Sequence, residues 1–502
     1  MDSDISTGFT TDQSFDAFED DGYDDLDTNS VVSVVAEEPL SYEVPYTSLS
    51  HEQLKQRFVS SVNQIQNLCG LSHEVAELLL IHNKFNIEWL GERYLDNPAR
   101  TLQSIGLDLK YADYSFAPRL LPAPPNFLCA ICCDDATYPV TFALPCGHRY
   151  CASCFKTYLR MRVSEGDIRL NCCLNSECRF PITDSVYKLL LSPSDYNRYR
   201  DQLIKLYVNC LPYLKWCIYP DCTYAVECKV NQADLDHIIP TVECNDGHKF
   251  CFGCSNEEHA PCICRLFAKW NKKCADDSET ANWINVHTKG CPKCQATIEK
   301  NGGCNHMLCR KCGHEWCWVC SGPWSEHGTA YYNCSRYDEK SGQEARDQQA
   351  KSKASLERYL HYYNRYANHL ESARLDKKLY LRTQKKMTDL QNSTSMTWIE
   401  VQYLANASDV LQHCRRTLMW TYAFAFYLER NNNTHIFENN QQDLELAVEK
   451  LSEMFERNTS ELATKRLELL DMTSYVSTRR SLLLKDTQLG LLEGRWKYNL
   501  SN

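Results

Sequence analysis

The first fifty residues contain no Lys or Arg, yet they hold thirteen Asp and Glu. Asp, Ser and Thr dominate there and apolar periodicity is missing, so residues 1–50 are expected to form a disordered acidic tail. The opening MDSDISTGFTTDQ lacks the basic and apolar regions of a secretory signal. That speaks for a cytoplasmic protein, with the nucleus as a second address, and against the oxidising compartments that favour disulfides. Long hydrophobic runs are absent as well. The longest, Thr417 to Leu428 (TLMWTYAFAFYL), falls short of the ~20 apolar residues that span a bilayer, so a buried helix is expected and a membrane role is not. Net charge is −11 over 502 residues, near +2 without the tail, and no cluster of Lys and Arg interleaves with aromatics. Nucleic acid is therefore not an expected partner.

Cysteine is what the chain has in excess. Of 29 Cys, 27 fall between Cys129 and Cys334. In a reducing compartment such crowding means metal, and coordination then supplies stability that small cores lack. The first group runs Cys129, Cys132, Cys146, His148, Cys151, Cys154, Cys173, Cys178. A tetrahedral zinc takes four soft or borderline donors, and each short C-x2-C loop offers two. Pairs one and three therefore share one ion and pairs two and four another, the crossed wiring of a RING finger. Cys133 and Cys172 are spares. The second group is Cys217, Cys222, Cys244 and His248, then Cys251, Cys254, His259 and Cys264, with Asp246 as an alternative to His248 and Cys228, Cys262 and Cys274 left over. The third is Cys291, Cys294, Cys309 and Cys312, then Cys317, Cys320, His327 and Cys334, in linear order. Six zinc ions are expected in all.

That count leaves Cys304 without a metal to serve. It follows Gly302 and Gly303, which permit close backbone approach, and precedes His306 by two residues. A thiol beside a filled ligand set reads as a nucleophile, with His306 able to take a proton or activate an amine and Glu315 able to orient that His. The alternative is an inert Cys beside a polar loop His.

Helical patterning covers residues 51–111, for which two or three short helices are expected. The Pro-rich run Ala117 to Asn126 reads as an extended linker. Beyond Arg336, ASLERYLHYYNRYANHL spaces its apolar residues as an amphipathic helix. Further helices are expected over Lys378 to Gln391, Trp398 to Leu428, Asp443 to Arg457 and Ser460 to about Lys485.

Three metal modules in this order resemble the RING-in-between-RING ubiquitin ligases. The strings LKWC, KFCFGC, DDSETANWI, CPKCQATIEKNGGCNHM, WCWVCSGPW, TLMWTYAFAFYL and FENNQQDLE are similar to the Ariadne branch, over roughly residues 55–502. The resemblance implies a multidomain fold. Small zinc-stabilised α+β modules (first RING 125–200, IBR 201–270, linker and second RING 271–334) are flanked by a helical domain like a ubiquitin-associated domain (51–115) and a helical Ariadne domain (335–502). It implies partners too: ubiquitin, a ubiquitin-conjugating enzyme docked at Ile131, protein substrates, and a neddylated cullin ligase sensed by the N-terminal helices. Cys304 would carry ubiquitin as a thioester before passing it to a lysine. The Ariadne domain would fold back over that thiol through Leu375, Asp376 and Glu449, where Leu and Asp stand in place of the Phe and Glu common in relatives. Ser372, one turn earlier, is a candidate phosphorylation switch or a solvated helix residue. A RING scaffold ligase that forms no enzyme thioester, or a zinc-finger binding protein, remain the alternatives.

Overall fold

The computed structural model describes residues 43–133, 140–276, 288–300, 304–326, 348–393, 401–457 and 459–500. Gly302, Gly303, His327 and Cys334 lie outside them, as does the side chain of Asp376.

The described chain enters through strand β1 (Tyr46–Leu49), and Ser50 ends it. The Ser50 hydroxyl accepts the Gln53 N–H while Gln53 Oε1 accepts the Ser50 N–H, a reciprocal cap that starts α1 (His51–Cys69). Leu54, Phe58, Val62 and Ile65 then fall on its buried face. Ser72, Asn86 and Asn97 each accept a first-turn N–H to open α2 (His73–His82), α3 (Ile87–Asp96) and α4 (Pro98–Gln103). The module thus has four helices where two or three were expected. β1 pairs antiparallel with Ala225–Cys228, far downstream, so the end of the acidic segment is an ordered strand rather than part of a disordered tail. The sequence concealed it because a four-residue edge strand shows almost no alternation of its own.

The first zinc-type module is a three-stranded sheet of β2 (Leu121–Pro122), β3 (Val140–Ala143) and β4 (Arg149–Cys151), followed by α5 (Ala152–Glu165). β2 lies inside the expected linker, and Pro122 is tolerated there because an edge strand can do without one donor. Helices α6 (Asp184–Leu190) and α7 (Pro193–Cys210) lead to the second module. There β5 (Leu214–Trp216) and β6 (Ala225–Cys228) form a sheet with β1, and β7 (Thr241–Glu243), β8 (Lys249–Cys251) and β9 (Asn256–Glu257) form another before α8 (Cys264–Asp276). Two hairpins make the third module, β10 (Thr288–Gly290) with β11 (Thr297–Glu299) and β12 (His306–Leu308) with β13 (Glu315–Cys317).

The C-terminal region is helical: α9 (Gln348–Ser393), α10 (Tyr403–Tyr427), α11 (Asn432–Glu456), α12 (Thr459–Thr464) and α13 (Arg466–Leu492). Two separate helices were expected across 354–391. α9 runs unbroken through them because the intervening residues contain neither Gly nor Pro. The apolar run from Thr417 forms the end of α10 and is buried on all sides.

Two cores tie these parts together. In the first, Phe58, Phe85 and Tyr207 meet edge to face or tilted at 5.1 to 5.7 Å, joining α1 and the α2–α3 turn to α7. Gly106 allows the same module to touch the first RING, since a Cβ there would sit 2.1 Å from the Arg179 carbonyl oxygen. In the second, Trp270 of α8 is fully buried among Tyr359, Tyr366, Phe426 and Tyr427.

Candidate active site and metal centres

Among the described residues, five sets of four donor atoms lie within 4.8 Å of one another: Cys129, Cys132, Cys151 and Cys154; Cys146, His148, Cys173 and Cys178; Cys217, Cys222, Cys244 and His248; Cys251, Cys254, His259 and Cys264; Cys291, Cys294, Cys309 and Cys312. Their spacing fits a metal. A zinc bonded to sulfur at about 2.3 Å places the four sulfurs of a tetrahedron about 3.8 Å apart. Sulfur pairs here stand 3.8 Å apart for Cys132 and Cys151 and for Cys222 and Cys244, and 3.6 Å for Cys291 and Cys312 and for Cys294 and Cys309. His248, rather than Asp246, shares the mutually close set; Asp246 Oδ2 touches only Cys222 Sγ, at 3.5 Å. His259 Nδ1 donates to the Cys262 carbonyl at 2.6 Å, which fixes the tautomer and aims Nε2 at Cys254 Sγ, 3.2 Å away. The spare Cys262 thus serves its neighbour through its backbone.

One local device recurs. In five C-x2-C loops the residue after the second Cys returns its N–H to the carbonyl of the first: Cys133 to Cys129, Ser255 to Cys251, Gln295 to Cys291, Gly313 to Cys309 and Ser321 to Cys317. All five have φ between 55° and 67°. Cys133 is therefore the turn residue of such a loop and stands outside the ligand set. Cys317 and Cys320 have the same turn, although His327 and Cys334, their expected co-ligands, fall outside the described residues.

Cys304 belongs to none of these sets, and it is 5% exposed. Its sulfur accepts the backbone N–H of His306 at 3.3 Å. The β12–β13 hairpin pairs Leu308 with Glu315 and so sets Glu315 diagonally across from His306. Glu315 Oε2 lies 3.3 Å from His306 Nε2. A carboxylate only accepts, so Nε2 carries the proton and Nδ1 is left as the basic nitrogen.

The residue between them is gripped from the C-terminal helices. Glu449 of α11 accepts the Asn305 backbone N–H at 2.6 Å and its side-chain amide at 2.8 Å. Arg415 of α10 donates to the same carboxylate at 2.7 Å. Lys300 donates to Asn305 at 3.0 Å and across to Asn368 and Ser372 of α9 at 2.7 and 2.9 Å, while Asn368 also donates to Asn305 at 2.9 Å. All six residues are buried. Burial alone would push Glu449 up, but Arg415, Lys300 and the hydrogen bonds outweigh it and hold the carboxyl below the usual range. Ser372 is completely buried, which removes the solvated reading of that residue. Leu375 is half-buried on α9, and Ile131 is exposed beside exposed Leu128.

Family models match the chain in order: a zinc finger of C3HC4 type (RING finger) over 129–175, an IBR domain, a half RING-finger domain, over 197–264, an IBR domain over 284–330, and an Ariadne domain over 357–476. The E3 ubiquitin-protein ligase dbl4 of Schizosaccharomyces pombe is 48% identical over 91% of this chain and 90% of its own length. The chain belongs to the Ariadne family of RING-in-between-RING E3 ubiquitin ligases. Other relatives include ari-1.1 of Caenorhabditis elegans, 41% identical over 90% of this chain and 89% of its own, and human ARIH1, 40% identical over 92% and 82%. In this Ariadne-family ligase Asn305, Lys300, Asn368 and Arg415 escaped sequence reasoning. None belongs to a ligand spacing, and only a tertiary contact gives them a role.

Proposed function

We propose that this ligase accepts ubiquitin from a conjugating enzyme onto Cys304 and transfers it to a lysine of a protein substrate, with the C-terminal helices holding the thiol back until a partner releases it. The observation that carries the reading is that Cys304, alone among the Cys of its module's described residues, stands outside a metal set or C-x2-C turn and lies beside a His–Glu pair.

In the first step Cys304, as thiolate, attacks the thioester carbonyl; its C–S bond forms as the C–S bond to the conjugating enzyme breaks, and that enzyme's Cys leaves as thiolate. In the second, a lysine nitrogen attacks the new thioester, the C–N bond forms as the C–S bond breaks, Cys304 departs as thiolate, and the amine proton passes to His306 Nδ1. Exchange of one thioester for another is nearly balanced, so proximity supplies most of the first step and proton handling matters most in the second. Six zinc ions, the sixth on Cys317, Cys320, His327 and Cys334, would hold the modules in shape. Exposed Leu128 and Ile131 offer an apolar contact for the conjugating enzyme. Exposed Trp89 and Leu95 on α3 offer one for the partner that relieves inhibition, a neddylated cullin ligase.

The test is Cys304→Ser in the full-length chain, incubated with ubiquitin-charged conjugating enzyme. The serine enzyme should accumulate an oxyester that survives reductant, where the native enzyme gives a reductant-labile adduct. A scaffold ligase would form neither.

A further inference from the structure

Beyond Glu315, a second group grips the His306 ring. Trp324 lies flat on it, ring centroids 4.4 Å apart and planes 10° from parallel. The chain path explains the contact. Cys317 donates its N–H to the Gly322 carbonyl, and Trp316 forms an antiparallel bridge with Pro323, so the chain after the last C-x2-C turn runs back along β13. The next residue, at the start of the 3-10 turn Trp324–Glu326, is delivered onto the hairpin face that carries His306. On that face Leu308 and Glu315 are exposed and the His306 side chain is 25% exposed, while Cys317, opposite His306, is buried.

A surface imidazole held by one hydrogen bond can still rotate about it. A single contact at Nε2 sets the direction of one nitrogen but leaves the ring plane free, and with it the direction in which the Nδ1 lone pair points. A flat indole on the ring face removes that freedom. Indole and imidazole each present a π-face, and an offset stack of this kind adds attraction beyond the area it buries. Carboxylate at one edge and indole on one face together leave Nδ1 with one orientation.

We propose that Trp324 is the positioning residue for His306, fixing the plane of the imidazole so that Nδ1 meets the attacking lysine amine. The inference rests on the reading of His306 as the base of the second transfer step. It assigns Trp324 no contact with ubiquitin or with the conjugating enzyme, so the first step should not depend on it.

The experiment separates the two steps in the full-length chain carrying Glu449→Gln to expose the thiol. Loading of Cys304 is measured from charged conjugating enzyme, and discharge of the isolated thioester is measured onto free lysine. His306→Ala should slow discharge about a hundredfold and Trp324→Ala about tenfold, with loading unchanged, as expected for loss of a base and of its orientation. Trp324→Phe keeps an aromatic plane and should stay within about threefold of native, whereas Trp324→Leu keeps bulk alone and should match alanine. In the His306→Ala background Trp324→Ala should slow discharge no further. Unchanged discharge in Trp324→Ala, equal rescue by Leu and Phe, or a full additional loss in the double variant would each overturn the proposal. Normal discharge by His306→Ala would instead remove the base itself, and this inference with it. Zinc content of every variant is measured alongside. If the alanine variant loses metal, the comparison of Leu with Phe decides.

Discussion

Glu77 sits buried in α2 within reach of Arg200, whose Nη1 is 3.1 Å from its carboxylate and 3.0 Å from Asp184. Burial raises its carboxyl to about 7; the Arg200 guanidinium pulls the other way and Asp184 adds to the rise. Because the folded value exceeds the ordinary one, the fold favours the protonated acid. The stability from this group is complete below the usual carboxylate range and is lost as pH rises through about 7. Glu77→Gln, which keeps the neutral shape, should gain over native by about 1 kcal/mol more at pH 8 than at pH 6 in denaturant unfolding. A gain independent of pH would mean that the carboxyl titrates normally. A buried acid is invisible in the string EVAELLLIH, where Glu77 reads as one polar position on an apolar helix. Cys304 is the opposite case, legible from the count of ligands before any coordinate.

Between the second hairpin and helices α9, α10 and α11 lies a clasp of buried charge and amide groups. Its geometry makes Asn305, the neighbour of the candidate nucleophile, the part that is held: Glu449 takes its N–H and amide, and the Trp318 N–H donates to its carbonyl at 2.8 Å. Glu449 sits below its usual range, so the clasp is intact at neutral pH and weakens only as pH falls through that depressed value. Asn305→Ala removes the side-chain bond to Glu449 and the acceptor of Lys300, and Glu449→Gln removes the charge. Bonds to charged groups contribute about 1.5 to 3 kcal/mol each, so either change should speed alkylation of Cys304 by maleimide about tenfold or more and raise ubiquitin loading with it. Unchanged alkylation in both variants would show that something other than the clasp hides the thiol. From sequence, Glu449 was reached through resemblance to relatives. The acceptors on α9 were not, because position along a 46-residue helix does not say which turn meets the hairpin.

The described residues beyond the acidic tail belong to one compact unit, Ser41–Asn502. The modules from Cys129 onward have short strands and paired donor sets, whereas α9 to α13 enclose an apolar core with no metal set among their described residues. A strong chelator should therefore abolish hydrogen-exchange protection in β3 to β13 while leaving that of α10, α11 and α13 largely intact. Protection that persists in the strands without zinc would overturn the ligand assignment. Sequence reasoning alone would test inhibition by deleting everything past residue 340. The structure advises against it: Trp270 of α8 is buried in the C-terminal core, so truncation would strip α8 of its packing as well as free the thiol. Substitutions in the clasp separate the two effects.

The sequence by itself determined five of the donor sets, a thiol outside them and the helical character of the C-terminus, because ligand spacing and apolar periodicity are local properties that a string of residues records directly. Only the tertiary structure decided that an acidic-end strand completes the IBR sheet, that Ser372 and Lys300 share a buried bond, and that an indole covers the histidine beside the thiol. Each of those joins residues distant in the chain or stranded between motifs. Such contacts follow from how modules pack, and no pattern within a single segment encodes them.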